Sequence, residues 1–422
     1  MKIAKAKGLK GEIENIATDK SISHRCVIFS LLANTPSEIK NFLYAKDTLS
    51  TLNIAKQLGL RVEQKDSNTL RFIPPEKIQE PDDILDCGNA GTAMRLYMGL
   101  LAGLRGYFVL SGDCYLKNRP MGRVIEPLRE IGAKIFARKD NALAPISIIG
   151  NTLEGFRYES KVASAQIKSA MILAGLFAKE KSFFKEPYLS RDHTERLLKN
   201  MGADLQDKDG GISISPLQEP LKPLILEIPS DPSSAFFFAV GATILPNSYL
   251  ILKNILLNPT RIQAFEILKK MGAKITYEIT QNTHEIIGDI SVQSSSLNAI
   301  VLEEKIAWLI DEIPALSIAM ANAKGKSIIK NAKELRVKET DRIKALVSNL
   351  SKMGIEVEEF EDGLSICGGE LKEAKVQSFG DHRIAMSFAI AGLLCGVEIE
   401  GFECVDISFP NFLEILQKMI QR

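Results

Sequence analysis

Short stretches spread along the chain hold the side chains that could do chemistry on an anionic substrate. Asp19-Lys20-Ser21-Ile22-Ser23-His24-Arg25 places two cations and two hydroxyls directly ahead of the apolar run Cys26-Val27-Ile28-Phe29. A polar cluster leading into an apolar run marks a helix N-terminus. Its free N–H groups and positive dipole end favour anions. In Gly88-Asn89-Ala90-Gly91-Thr92-Ala93-Met94-Arg95, the glycines permit close backbone approach and the arginine supplies a fork of donors. Lys117, Arg119 and Arg123 share one loop-like segment around Pro120. Ser164-Ala165-Gln166-Ile167-Lys168-Ser169, Arg336-Val337-Lys338-Glu339-Thr340-Asp341-Arg342 and Gly380-Asp381-His382-Arg383 mix cations with carboxylates or hydroxyls, as phosphate and carboxylate sites do. Alone, the first stretch reads equally well as a capped helix with a solvated basic turn, the glycine-rich stretch is weak evidence, and the 117–123 loop and the 338–342 run read more readily as solvated charged surface. Their recurrence argues for a site.

The elements that position them repeat. Five segments share an amphipathic helix, an apolar residue plus glycine, then a strand, with the glycines at Gly59, Gly132, Gly202, Gly272 and Gly354. Each glycine falls where a helix end needs a left-handed residue, and the run after it alternates like a strand. The spacing is roughly 70 residues, the mark of a structural repeat. A sixth helix is expected over 412–420. A short strand tail follows each complete unit, for example Leu70-Arg71-Phe72-Ile73 and Ile146-Ser147-Ile148-Ile149. Each unit also carries an earlier helix apolar on most faces, which must be buried. These buried helices follow polar openings at 19–25, 88–95, 164–169, 230–234, 311–312 and 380–383. Six units divide into two domains of three, with the break at Ile228-Pro229-Ser230-Asp231-Pro232, where two prolines interrupt regular structure. Buried helices lying parallel in facing domains would aim their N-termini at one inter-domain cleft, suited to several negative groups at once.

Composition narrows the classes. A chain of 422 residues exceeds one ordinary core. With 53 Lys plus Arg against 52 Asp plus Glu, there is no basic excess for nucleic acid, so any anion site is local. No apolar run approaches the roughly 20 residues of a membrane span. The start, Met1-Lys2-Ile3-Ala4-Lys5, lacks the apolar centre of a signal peptide. Six scattered cysteines without a CxxC pair, and four histidines, argue for a reduced, cytoplasmic protein with no metal site.

Together and in this order, the motifs closely resemble the enolpyruvyl transferase family, in its 5-enolpyruvylshikimate-3-phosphate synthase branch. The resemblance runs from Lys20 to Phe409-Pro410. It rests on Asp-Lys-Ser-x-Ser-His-Arg, Gly-Asn-Ala-Gly-Thr-Ala-Met-Arg and Arg-Val-Lys-Glu-Thr-Asp-Arg, which are highly specific as a set. It implies an α/β fold, a two-domain inside-out α/β barrel of six βαβαββ repeats, three per domain. Residues 14–228 would form the first domain, and 1–13 plus 229–422 the second. The implied reaction moves the enolpyruvyl group of phosphoenolpyruvate to the 5-hydroxyl of shikimate 3-phosphate, releasing phosphate. The hydroxyl loses a proton while the vinyl carbon gains one, so acid–base groups must flank the reacting atoms.

By resemblance, Lys20, Ser21, Arg25, Ser164, Ala165, Gln166, Arg191, Asp311 and Lys338 bind shikimate 3-phosphate. Lys20, Gly91, Arg119, Gln166, Arg342 and Arg383 form the phosphoenolpyruvate pocket. Lys20, Asp311 and Glu339 are catalytic, with Asp311 as base and Glu339 as proton donor to the vinyl carbon. The family also implies no cofactor, no metal, a monomer, and glyphosate as an inhibitor. Some positions depart from the commonest pattern. Ala17-Thr18 replaces Pro-Gly, Ala165 replaces a serine, and Arg191 stands where many members have an aromatic residue. Leu96 replaces a proline, and Ile407-Ser408 holds no lysine ahead of Phe409-Pro410. Together with Gly91, Leu96 leaves glyphosate sensitivity open. Cys114, ahead of Arg119-Pro120, resembles the mobile-loop cysteine of the sister UDP-N-acetylglucosamine enolpyruvyl transferases. Those enzymes carry Lys-Asn near the start and lack the Lys-Glu-Thr-Asp-Arg run, so Cys114 reads as a non-catalytic thiol. A repeat-built clamp for phosphorylated ligands is the non-enzymatic alternative.

Overall fold

The computed structural model describes residues 1–282 and 285–421. The chain divides into two compact units, Met1–Asp19 with Pro229–Arg422, and Lys20–Ile228. The first crossing therefore lies between Asp19 and Lys20, later than the expected 13/14. Backbone pairing explains the shift. Thr18 forms an antiparallel bridge with Ser230, the Asp19 N–H donates to the Pro229 carbonyl at 2.8 Å, and the Asp231 N–H donates to that of Ala17 at 2.9 Å. The buried Arg261 guanidinium then pairs with both Asp19 and Asp231. Burial would weaken its hold on a proton, but Asp19, Asp231 and Glu312 raise its pKa instead.

The unit Lys20–Ile228 contains three four-stranded sheets. The middle stretch of sequence illustrates their construction. Strand Leu85–Asp86 leads to helix Gly91–Ala102, strand Gly106–Ser111, helix Gly122–Glu130 and strands Lys134–Ala137 and Leu143–Gly150. Leu85–Asp86 pairs parallel with Gly106–Ser111, which pairs antiparallel with Leu143–Gly150, which pairs antiparallel with Lys134–Ala137. The same parallel, antiparallel, antiparallel sequence builds the sheets around Ser37–Lys40 and Ser182–Lys185. The two helices of a stretch have different faces. Gly91–Ala102 is buried along nearly its whole length, whereas Gly122–Glu130 buries Val124, Ile125, Pro127 and Leu128 and leaves a polar side to solvent. Glycine decides how closely the buried helices approach. A Cβ on Gly99 would lie 2.1 Å from the Ala170 carbonyl oxygen, so helices Gly91–Ala102 and Ala165–Gly175 meet backbone to backbone.

The unit Met1–Asp19 with Pro229–Arg422 shows, among its described residues, sheets of five, four and three strands. Helices Pro232–Ile244 and Ile313–Ala321 are buried at every residue, and helix His382–Cys395 at nearly every one. Phe237, Phe238, Phe409 and Phe412 pack their rings together in its core. Pro232 opens a helix, at the first-turn position where the missing N–H costs nothing. The last helix ends at Met419, one residue short of expectation, because Ile420–Gln421 pairs antiparallel with strand Gly8–Ile13. All five junction glycines carry positive φ, from 80° at Gly354 to 114° at Gly272, as their place after a helix requires. Among the described residues no helix is long and apolar enough to cross a membrane.

Candidate active site

Within Lys20–Ile228, the motif residues gather at helix starts. Lys20 is the first residue of helix Lys20–Ser30, and its ammonium pairs with Asp47 at 3.0 Å. One turn on, the buried Arg25 donates from Nη1 to the Ser21 carbonyl at 3.0 Å, from Nε to Thr194 Oγ1 at 2.7 Å and from Nη2 to Ser169 Oγ at 2.9 Å. Arg25 thereby ties three helices together. Between Lys20 and Arg25, His24 is fully buried. Burial, with Lys20 and Arg25 close by, holds its pKa well below 6.5, so the ring stays neutral.

A second cluster forms around Gln166, in the first turn of helix Ala165–Gly175, whose N-cap is Ser164. Its Oε1 accepts from Arg95 Nη1 at 2.9 Å and from Arg123 Nη2 at 3.1 Å, and its Nε2 donates to Thr92 Oγ1 at 3.1 Å. Arg119 belongs to the same cluster: a Cβ built on Gly91 would lie 2.9 Å from Arg119 Nη1 and 2.8 Å from Arg95 Nη1. Glycine at 91 is what lets these two guanidinium groups come so near the start of helix Gly91–Ala102. Three guanidinium groups beside two helix N-termini make a strongly anion-seeking site. Arg191 falls in sequence between strand Ser182–Lys185 and helix His193–Asn200.

Within Met1–Asp19 and Pro229–Arg422, the buried Arg342 is the hub. Its Nε donates to Asp381 Oδ2 at 2.7 Å, its Nη2 to Glu339 Oε2 at 2.6 Å, and its Nη1 to Asp311 Oδ1 at 3.5 Å. Burial would weaken its hold on a proton, but Asp381, Glu339 and Asp311 outweigh burial and raise its pKa. Arg383 donates from Nη1 to the Asp311 carbonyl at 3.0 Å and approaches its carboxylate at 3.9 Å. Asp381 also caps helix His382–Cys395, accepting from the N–H groups of Arg383 and Ile384. One guanidinium thus stands between two carboxylates that could exchange protons with a substrate, with a second guanidinium beside them.

The structure brings Gly91, Arg119 and Gln166 together in one unit, and Asp311, Glu339, Arg342 and Arg383 in the other. Lys338 is turned toward Glu334, with its ammonium at 3.0 Å from Oε1. Residues in direct contact with these groups that were not among the assigned site residues include Asp47 on Lys20, Arg95 and Arg123 on Gln166, and Asp381 on Arg342. All but Asp47 of these lie inside the motif stretches, where the sequence singled out Arg95 as a fork of donors and Arg123 as one of three loop cations without assigning either to a substrate. Asp47 lies in none, and nothing local distinguishes it from other surface-like aspartates. No group of His, Cys, Asp and Glu side chains suited to a metal ion occurs among the described residues.

Comparison with known proteins gives a consistent result. The family model described as EPSP synthase (3-phosphoshikimate 1-carboxyvinyltransferase) matches residues 3–416. A 3-phosphoshikimate 1-carboxyvinyltransferase of Wolinella succinogenes is 57% identical over 415 residues, covering 98% of this chain and 95% of the relative. Among solved structures, an EPSP synthase from Acinetobacter baumannii superposes with a TM-score of 0.86 at 37% identity, covering 99% of this chain and 98% of that one. The enolpyruvyl transferase NikO from Streptomyces tendae shares the fold at a TM-score of 0.78 and 14% identity, covering 99% of this chain and 96% of that one.

Proposed function

The chain belongs to the EPSP synthase family, and from that premise we propose how its own residues carry out the family's reaction, the transfer of enolpyruvyl from phosphoenolpyruvate to shikimate 3-phosphate. The fold is read in the same terms, as an inside-out α/β barrel of six βαβαββ repeats, three in each of two domains. Lys20, Ser21, Arg25, the segment 164–166, Arg191 and Lys338 take shikimate 3-phosphate. Gly91, Arg119, Arg342 and Arg383 take phosphoenolpyruvate, with Lys20 and Gln166 reaching both substrates.

The observation that carries the mechanism is Arg342 held between Asp311 and Glu339. In the addition step Asp311 accepts the proton of the 5-hydroxyl as its oxygen bonds to C2 of phosphoenolpyruvate. Glu339, protonated, gives a proton to the methylene carbon. The product is a tetrahedral intermediate with a methyl group and the phosphate still attached. In the elimination step a proton passes from that methyl group back to the Glu339 carboxylate, the double bond re-forms, and the C–O bond to phosphate breaks with its electron pair leaving on the phosphate. Carboxylates of this kind contribute about 10²–10⁴-fold to rate as acids and bases. Arg342 and Arg383 offset the negative charge of substrate and leaving phosphate, the preorganised electrostatic stabilisation that serves such steps.

The test is phosphate release from phosphoenolpyruvate with either shikimate 3-phosphate or UDP-N-acetylglucosamine as acceptor. Release with shikimate 3-phosphate alone supports the reading. Release with only the sugar nucleotide would overturn it and turn attention to Cys114. Binding of shikimate 3-phosphate without release under any condition would leave a phosphorylated-ligand clamp as the function.

A further inference from the structure

Away from the cation clusters, the unit Lys20–Ile228 buries one more charged constellation. Lys168, on helix Ala165–Gly175, is 1% exposed. Its ammonium donates to Glu186 Oε1 at 2.8 Å, to Glu195 Oε1 at 2.8 Å and to the Ser190 carbonyl at 3.4 Å. Glu186 and Glu195 are themselves buried. Burial works against the charge on Lys168, yet Glu195 and Glu186 outweigh it and raise its pKa, so it stays an ammonium. As a way of stabilising a fold this is inefficient, because apolar side chains of similar volume commonly do as well or better. The constellation is better explained by what it fastens.

Glu186 and Glu195 bracket the segment 187–194, and a single ammonium holds both ends. Glu186 Oε1 also accepts from the Ser190 N–H at 2.7 Å and from Ser190 Oγ at 3.0 Å. Ser190 is thus tied through its N–H, its hydroxyl and its carbonyl. It is the residue immediately before Arg191. On the other side, Thr194 Oγ1 accepts from Arg25 and lies 2.6 Å from Ser169 Oγ, the neighbour of Lys168 along the helix. Arg191 therefore sits between two residues whose positions are set from helix Ala165–Gly175. That same helix carries Ala165 and Gln166 in its first turn.

We propose that Lys168, with Glu186 and Glu195, is a positioning device that sets Arg191 in register with the segment 164–166 for binding the acceptor substrate. The inference rests on the reading of Arg191 as a shikimate 3-phosphate ligand. Lys168 touches no substrate in this scheme. It acts by fixing the backbone from which Arg191 reaches, as a preorganised site requires of its supporting residues.

The experiment is calorimetric titration of shikimate 3-phosphate into Lys168→Met, Glu195→Gln, Arg191→Ala and the double variant Lys168→Met/Arg191→Ala, with KM for phosphoenolpyruvate measured in parallel. Each single variant is expected to weaken shikimate 3-phosphate binding about 10- to 100-fold, the scale of one charged hydrogen bond, with KM for phosphoenolpyruvate little changed. The double variant is expected to bind no more weakly than Arg191→Ala, since the loss runs through that one side chain. Unchanged affinity in folded Lys168→Met or in Arg191→Ala, or losses that multiply in the double variant, would overturn the proposal. If Lys168→Met does not fold, Glu195→Gln decides alone, because it leaves the ammonium paired with Glu186. Wild-type protein that releases phosphate with shikimate 3-phosphate while these variants bind normally would remove the positioning role only. Wild-type protein that releases none would remove both readings.

Discussion

Asp381→Asn puts the hub of the carboxylate cluster to a direct test. Arg342 is 1% exposed and Asp381 0% exposed, and the pair is joined through Nε at 2.7 Å and Nη2 at 3.4 Å. Asparagine retains one oxygen, which can cap helix His382–Cys395 or accept from Arg342, and it removes the charge. Breaking a buried ion pair by removing one partner costs about 3–5 kcal/mol. Glu339 and Asp311 still face Arg342, so the lower end, about 3 kcal/mol, is expected. Asp381→Ala also loses the cap, about 1 kcal/mol more. With a urea dependence of about 2–3 kcal/mol per molar, the Asn variant should unfold at least about 1 M earlier. The chain's single tryptophan, Trp308, lies in the same unit as Asp381, so its fluorescence reports the relevant transition. Because Arg342 is assigned to phosphoenolpyruvate, KM for that substrate should rise while shikimate 3-phosphate still binds. A midpoint equal to wild type at an unchanged urea slope would refute the claim that charge holds Arg342 in place.

Glu339→Gln keeps the shape of the side chain and removes the acid, so turnover should fall about 10²–10⁴-fold while calorimetry still shows shikimate 3-phosphate binding. Turnover near wild type would end its role as proton donor. His24 gives a pH dependence. Its folded pKa lies well below 6.5, so below about pH 6.5 the unfolded chain binds a proton that the fold does not. Its contribution to stability is therefore present above that pH and lost as pH falls, at up to about 1.4 kcal/mol per unit. Urea unfolding followed by circular dichroism should show an acid loss between about pH 7.5 and 5.5 that is smaller in His24→Asn by about that amount. Equal losses would show that His24 protonates freely in the fold. Gly91→Ala would set a methyl group 2.8 Å from Arg95 Nη1 and 2.9 Å from Arg119 Nη1, forcing both guanidinium groups to move. Displacement of that size should raise KM for phosphoenolpyruvate up to about 10-fold, and an unchanged KM would remove Arg119 from that pocket.

Local physics made much of this molecule legible in one dimension. A helix start needs polar residues ahead of an apolar run, and a helix end needs a residue that tolerates positive φ. Gly59, Gly132, Gly202, Gly272 and Gly354 therefore announced their junctions before any contact was known, and each has the positive φ inferred for it. Gly91 and Gln166 were readable as candidate site residues because a motif names its members. Asp381 was present in a motif, yet its pairing with Arg342 was not legible, since it depends on a partner 39 positions away.

What the tertiary structure alone decided is which charges meet. Residues 14–19 group with Pro229–Arg422, where Thr18 bridges to Ser230 and Asp19 meets Arg261, 242 positions distant. Asp47 was invisible as the partner of Lys20, and Glu186 and Glu195 as the partners of Lys168, for the same reason. Helix caps and turn glycines are satisfied within a few residues, so a sequence records them almost completely. A buried charge is satisfied by whatever the folded chain brings within about 3–4 Å, and no local pattern encodes that meeting.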